Sequence, residues 1–508
     1  MRITSSLSIF FFIFHSFFVS ANDRAELIYS SLDPTSLKQH LAFYEIYSKE
    51  SKGAQALSDA WEILTGQRLQ NFANQALPFF PKTASSLVAL INRQAGEKIH
   101  PLTEKELTFI ESFTGHLKHR SLKGHQTFDQ EKIIQLTPEN IDLARALFVM
   151  EMEGDQARIR TYEALLDIMA LQIAARLPPQ PTPKQMVEKI NQLIFDEMEF
   201  RFPPHSTFKE NIDAHTFLPS VLDTHQGVCL GVSIIYLCLA QRLGFKMEAV
   251  TPPGHIYVRY VDHEQVINVE TTARGIHLDS KEYLSLDTHQ LQTRNIKEVV
   301  GLAHFNHAAM YWQKKEYESA YQAYLKAEPY LKHDPLLKEF MGYTLLFIGR
   351  EKEGREKLNE IKDYIPPHAL SKSTLANDYL NGNVDMEGIK LIFSNQEKER
   401  SALLQYKNQL KEVILRHPYF RTGLAQLAMV CTKLHCYAEA LQLLKKYHAI
   451  DEKEAEINYY LALLSFSRLH YPAAWDYLHQ AENIVKEHHY LPQTLKELRR
   501  ELLQKCPE

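Results

Sequence analysis

The sequence predicts a mostly helical protein with one small α+β segment in its middle and a repetitive helical tail. Three observations predict this. Apolar residues recur at three- and four-residue steps through most of the chain. Two short β-type runs, IYVRYV and VINVETT, are joined by DHEQ and read as a hairpin. After about residue 300, small and aromatic residues recur with a period of 34. At 508 residues the chain has room for about three domains. Its 45% hydrophobic and 23% charged content is that of an ordinary globular protein. A net charge of -5 and the lack of a basic tract argue against nucleic acid as a partner and against a polybasic membrane-surface patch.

The N-terminus reads as a secretory signal peptide over residues 1–21. Met1-Arg2 gives a positive start, LSIFFFIFHSFFV an apolar centre, and VSA, ending at Ala21, a cleavage site. The body is therefore expected outside the cytosol, periplasmic or secreted. The alternative is an uncleaved membrane anchor, the one route by which this chain would contact a membrane; the apolar run is short for a full span.

Five cysteines, Cys229, Cys238, Cys431, Cys436 and Cys506, leave at least one thiol unpaired within the chain. Cys229 and Cys238 lie on one expected helix, a rise of roughly 13 Å apart, too far for a disulfide. Cys431 and Cys436 flank a tight helix turn, and spacing alone leaves their pairing open. With no disulfide framework, the core must do the stabilising.

Residues 22–178 form an expected N-terminal helical domain without a chemistry motif. PPQPTP, Pro178 to Pro183, breaks the helical pattern and marks a linker. Thr182 is the expected N-cap of the next helix, KQMVEKINQLIFDEMEF, with Pro183 just inside it. The core domain, 184–290, continues with the loop FLPSVLDTHQG and the helix CLGVSIIYLCLAQRL, apolar nearly all round and hence buried, with Gly244 as its C-cap. EAV, a PPGH turn and the hairpin follow. In the tail, Ala308, Ala320, Tyr324 and Ala327 are matched 34 residues on by Gly342, Gly354, Leu358 and Ile361. The pattern returns at Ala428, Tyr437, Ala440 and Leu444, and again at Ala462, Tyr471, Ala474 and Leu478. Two repeat pairs, 300–361 and 417–486, thus flank an irregular helical connector, 362–416, that includes YIPPHAL.

One group of residues reads as chemistry. Gly227 permits a tight turn before Cys229, which opens a helix. Unpaired N–H groups at a helix start favour a thiolate and can hold an oxyanion. Cys238, mid-helix, is the expected inert core thiol. His255 starts a strand beside Gly254, which gives the backbone freedom. With Val261 opposite Val266, Arg259 faces Asn268 and Tyr257 faces Glu270, so alternation puts His255 and Glu270 on one face as diagonal neighbours. Asn268 shares that face two residues farther away and is the second candidate to orient the imidazole. Nucleophile, base and orienter are then Cys229, His255 and Glu270. The 24 histidines are scattered, CTKLHC has no second ligand pair at zinc spacing, and no phosphate-binding loop or dinucleotide fingerprint occurs. No metal and no cofactor are expected.

The stretches FLPSVLDTHQGVCLGVSIIYLCLAQRLG, PGHIYVRY and NVETT, led in by INQLIFDEMEFRF, resemble the SirB-type transglutaminase-like family with C-terminal tetratricopeptide repeats. The resemblance covers roughly 184–290, and the repeats more loosely. It implies an α+β transglutaminase-like (papain-like) core with Cys229, His255 and Glu270 at the triad positions. It also implies amide-bond chemistry through a thioester, ending in hydrolysis or in acyl transfer to an amine, and a protein or peptide partner held by the repeats. The acid slot reads Glu270-Thr271-Thr272 where transglutaminase-like enzymes usually carry Asp-Pro-Thr. The rival reading is a catalytically silent scaffold that works through its repeats.

Overall fold

The computed structural model describes residues 21–66, 80–203, 213–394 and 399–507. The expected signal peptide therefore lies outside the described residues except for Ala21, which opens helix α1 (Ala21–Ser30). No described helix is long and apolar enough to cross a membrane.

The N-terminal region is helical, as its periodicity predicts: α2 (Leu37–Tyr47), α3 (Ser51–Thr65), α4 (Phe80–Asn92), α5 (Glu104–Thr114), α6 (Gln130–Gln135), α7 (Leu143–Glu151) and α8 (Gln156–Ala174). Side-chain oxygens of Ser36, Thr103, Asp129, Asp142 and Asp155 accept first-turn N–H groups and so set where several of these helices begin. α8 is buried along nearly its whole length and packs directly against the helix that carries Cys229. After the proline-rich linker, Thr182 and Gln185 form a capping box on α9 (Pro183–Asn191), with Pro183 at its first turn. The helix expected to run on to Phe200 instead widens into a π-helical turn at Gln192–Glu197.

The central segment holds α10 (Leu218–Thr224), α11 (Cys229–Leu243) and a four-stranded antiparallel sheet: β1 (Glu248–Thr251), β2 (Tyr257–Val261), β3 (Val266–Val269) and β4 (Gln292–Arg294), in the order β3-β2-β1-β4. Gly244 closes α11 with φ 70°. The hairpin register is the expected one, with Arg259 opposite Asn268 and Val261 opposite Val266. The second strand is shorter than VINVETT suggests. It stops at Val269, because the Glu270 side chain accepts the Thr272 N–H and turns the chain into a 3-10 turn, Thr271–Ala273. β4 is too short for an alternating pattern to show in the sequence.

One hydrophobic core runs without a break from Leu37 to Tyr330, across both the proline linker and residues 290–300. Helix α12 (Ile296–Gln313) contributes Val299, Val300 and Ala303 to it while opening the repeats. The repeats are helical hairpins: α12 with α13 (Tyr317–Ala327), then α14 (Pro335–Phe347) with α15 (Glu351–Ile361). The connector holds α16 (Thr374–Leu380), α17 (Met386–Ile392) and α18 (Arg400–Arg416). Two further hairpins follow, α19 (Arg421–Lys433) with α20 (Tyr437–Ile450) and α21 (Ala455–Ser467) with α22 (Tyr471–Lys486), and α23 (Gln493–Lys505) covers the end. The small-residue slots do what the 34-residue period implies. A Cβ on Gly342 would lie 2.7 Å from Leu358 Cδ2, and one on Gly354 would lie 2.9 Å from the Gly342 carbonyl oxygen. The two helices meet backbone to backbone there.

The repeats fold back to the core. Leu286 is buried among Ala455, Ala474 and Trp475 of the last hairpin, and Leu370 N–H donates to Asp287 O at 2.9 Å. All five cysteines are free thiols. Cys431 and Cys436, whose pairing the spacing left open, bracket the α19–α20 turn without a bond between them.

Candidate active site

Cys229 is the first residue of α11. Val228 precedes it in extended conformation, and no side chain caps the helix start. The approach is built differently from the glycine turn the sequence suggests. The left-handed residue is His225, with φ 53°, held by its Nδ1 against Met198 O at 2.7 Å and by stacking on Phe200. Gly227 is needed for space instead, since a Cβ there would lie 2.7 Å from Val232 Cγ2 and 3.1 Å from Val232 N. Backbone bonds Val228 N–H to His215 O and Gly227 N–H to Arg201 O, both 3.0 Å, fix the chain just ahead of the thiol.

His255 follows a tight turn in which its N–H donates to Pro252 O at 3.0 Å. Pro253 and Gly254 occupy the central positions, and Gly254 has φ 70° with open space around it, the arrangement of a type II turn. Gly254 is therefore there for its backbone conformation, as expected. The turn presents the imidazole to two partners at once. Nε2 lies 2.8 Å from Glu270 Oε2, and Cys229 lines the same cleft as the ring and is the other group acting on it. The bonds to Cys229 and Glu270, in that order, outweigh burial and raise the His255 pKa to about 9.

Glu270 is nearly enclosed. Burial pushes its pKa up, but hydrogen bonds from His255, Thr272 and Tyr283 prevail and bring it to about 2. Thr272 supplies both its N–H, at 3.1 Å, and its hydroxyl, at 2.5 Å, to Oε1; the Tyr283 hydroxyl donates to Oε2. Thr271 turns inward, its hydroxyl 3.0 Å from that of Ser233 on α11. Ser233 is four residues after Cys229 and so lies on the same helix face. This buried contact couples the carboxylate's position to the helix that carries the thiol.

The structure thus brings Cys229, His255 and Glu270 together, with Gly227 and Gly254 in support for different reasons. Asn268, the second candidate to orient the imidazole, does something else. Its Nδ2 donates to Leu278 O at 2.6 Å and its N–H to His277 Nδ1 at 3.1 Å. It is directed at the 277–280 segment, the stretch that leads to Tyr283. Tyr283 itself carries no signal in the sequence. Its ring lies nearly parallel to His255 (centroids 5.8 Å apart, 20° between planes) and to Tyr257 (4.6 Å, 17°). Cys238 is fully buried, and desolvation pushes its thiol well above the ordinary range, as expected of a core cysteine.

The thiol and imidazole open into a cleft of about 540 Å³. Its near wall is the Pro252–Ile256 turn and its far wall comes from α12, α14 and residues 361–373, so the first repeats build half of the site. Among the described residues, one group has donor atoms placed to hold a metal: His119, His125 and Asp142, all within 4.8 Å of one another. It shares no residue with the cleft. Asp167 pairs with both Arg120 and Arg242, the latter through Nε to Oδ1 at 2.8 Å, and Glu163 pairs with Arg145, while Asp142 lies 2.8 Å from His125 Nδ1 and accepts from the Arg145 backbone N–H. Burial, aided by Arg242, drives the His119 pKa down to about 3.

The thiol at a helix start, the imidazole and the carboxylate all lie on the core of helix and antiparallel sheet. Residues 160–299 match the model of the transglutaminase-like superfamily. The match begins inside α8, ahead of the proline linker, in keeping with the packing of α8 on α11. No curated protein matches the chain. Several solved structures align with it, tetratricopeptide proteins among them. A thermophilic tetratricopeptide protein from Thermus thermophilus is 18% identical, over 40% of this chain and 97% of that one, with a TM-score of 0.20. The yeast Sti1 TPR2AB domain in complex with an HSP90 peptide is 19% identical, over 41% and 86%, with a TM-score of 0.20. The Cut9–Hcn1 hetero-tetramer of APC/C is 14% identical, over 92% and 75%, with a TM-score of 0.21. The repeat character of the tail rests on its own helical hairpins. The chain carries a transglutaminase-like domain followed by helical repeats.

Proposed function

We propose that the protein is an exported thiol enzyme of the SirB-type transglutaminase-like kind, acting on amide bonds through Cys229, His255 and Glu270. The observation that carries this reading is the placement of His255, whose Nε2 lies 2.8 Å from Glu270 Oε2, in the cleft that Cys229 also lines. The Cys229 sulfur attacks the amide carbonyl, the thiol proton resides on His255, and the carbonyl oxygen becomes an oxyanion beside the uncapped N–H groups of the first turn of α11. Collapse expels the amine, which takes the proton from His255 and leaves a thioester on Cys229. Water or a second amine then attacks the thioester, giving hydrolysis or acyl transfer. Glu270 keeps the imidazole oriented and stabilises its positive form. The repeats hold a protein or peptide partner, a role their stacked hairpins suit.

Iodoacetamide labelling of the full chain, mapped by mass spectrometry, tests the reading. Cys229 should react at pH 7 while Cys238 stays unmodified, and His255→Ala should slow the Cys229 reaction by about 10²–10³-fold. An unreactive Cys229 in the folded protein rules the thiol-enzyme reading out and leaves a silent scaffold that acts through its repeats.

A further inference from the structure

The cleft has a chemical character beyond its reacting groups, and the repeats supply it. This inference rests on the thiol-enzyme reading above. Lining the same cavity as Cys229 and His255 are Leu302 and Phe305 of α12, Leu331, Leu336, Ile361 and Tyr364. Leu336 is 50% exposed and Tyr364 43% exposed. Large apolar side chains left open in a concave site lined mainly by apolar groups are what a ligand-binding pocket presents.

The charged groups of the same cavity are already satisfied within the protein. Arg294 donates to Asp334 at 2.7 Å and to Glu298 at 3.3 Å, and Asp334 also caps α14. Glu339 accepts from Tyr343 at 2.6 Å and from Ser373 at 2.5 Å. His368 is held toward its neutral form by burial, with Arg294 adding to the effect. The far wall therefore offers apolar area and no free charge, so it suits an uncharged apolar group and disfavours an ionised one, which would lose its hydration without gaining a partner.

We propose that this wall is a recognition pocket for a large, uncharged apolar side chain, aromatic or branched, carried within about one residue of the amide carbonyl that Cys229 attacks. The substrate class is then a peptide with a bulky apolar residue next to the reacting amide, and the first repeat pair sets specificity as well as binding partners.

Three alkylating probes test this on the full-length protein: iodoacetamide, its N-(2-phenylethyl) derivative and its N-(2-carboxyethyl) derivative. Rates at Cys229 are measured by mass spectrometry and each is divided by the rate of the same probe with free N-acetylcysteine. The expected result is a corrected rate for the phenylethyl probe about tenfold or more above that for iodoacetamide, with the carboxyethyl probe below both. Leu336→Asp should bring the phenylethyl-to-iodoacetamide ratio close to one, and Tyr364→Asp, at a second exposed position, should lower it independently. Equal corrected rates for the phenylethyl and carboxyethyl probes, or a ratio unchanged in both variants, overturn the pocket while leaving the nucleophile standing. A Cys229 silent toward all three probes overturns the nucleophile and the pocket together.

Discussion

At Glu270 two opposing effects meet, and their balance sets the behaviour of the site. Burial favours the neutral acid, whereas three donors favour the carboxylate and win, at a pKa of about 2. His255 is shifted the other way, to about 9. The signs define a window. A lowered carboxyl pKa contributes stability above the ordinary 4.5 that fades as pH falls toward 2; a raised imidazole pKa contributes stability below 6.5 that is lost as pH rises through 9. The ion pair should therefore be fully stabilising between about pH 4.5 and 6.5 and be lost outside about 2 and 9. Glu270→Gln should move the His255 pKa back toward 6.5 in an NMR titration and slow Cys229 alkylation at pH 7 about 10–100-fold. Tyr283→Phe removes one donor to the carboxylate and should shift His255 in the same direction by a smaller amount. An unmoved His255 pKa in Tyr283→Phe would show that the phenol only packs.

At the scale of elements, short-range backbone geometry aims the Cys229 and His255 side chains. The Pro252–His255 turn needs a left-handed residue at Gly254, where φ is 70°. Gly254→Val should lower stability by about 1–2 kcal/mol, seen as a reduced Tm, although the space around that position is open. In the repeats the controlling quantity is clearance. Gly342→Val places atoms where Leu358 already lies, and overpacking of this kind should destabilise by about 1–3 kcal/mol in a denaturant titration. The first change acts through φ and the second through volume, so only the second should be relieved by shortening a neighbour, as in a Gly342→Val/Leu358→Ala double variant.

Across the whole molecule, the N-terminal helices brace the helix that carries the thiol. Arg242, fully buried on α11, is paired with Asp167 of α8, and Asp167 also receives Arg120 at 2.6 Å. Arg242→Met strands part of that buried charge and should cost about 3–5 kcal/mol, measured by chemical unfolding of the full chain. On the other side, Leu286 anchors the sheet domain in the last hairpin, and Leu286→Ala should destabilise by about 2–5 kcal/mol. If the Leu286 contact holds the repeats to the core, its loss should also expose new proteolytic sites near residues 280–290.

By itself the sequence determined the helical majority, the hairpin and its register and the helical repeats, and it singled out Cys229, His255 and Glu270 as candidates. These follow from periodicity and strand alternation, which are local rules. It also separated Cys229 from Cys238, because a helix start and a helix middle differ in their unpaired N–H groups. Tertiary structure alone decided the rest. Tyr283 reaches Glu270, and Ser233 reaches Thr271, only once the 271–283 segment is folded against α11. Asn268 shares a face with His255 by alternation, yet its amide is directed to the 278 carbonyl, because contacts from outside the hairpin decide which neighbour a side chain meets. The arginine–carboxylate network behind α11 and the repeat-built wall of the cleft join residues far apart in the chain or in different hairpins. No period or spacing encodes such meetings; they are fixed by how a continuous core packs its helices.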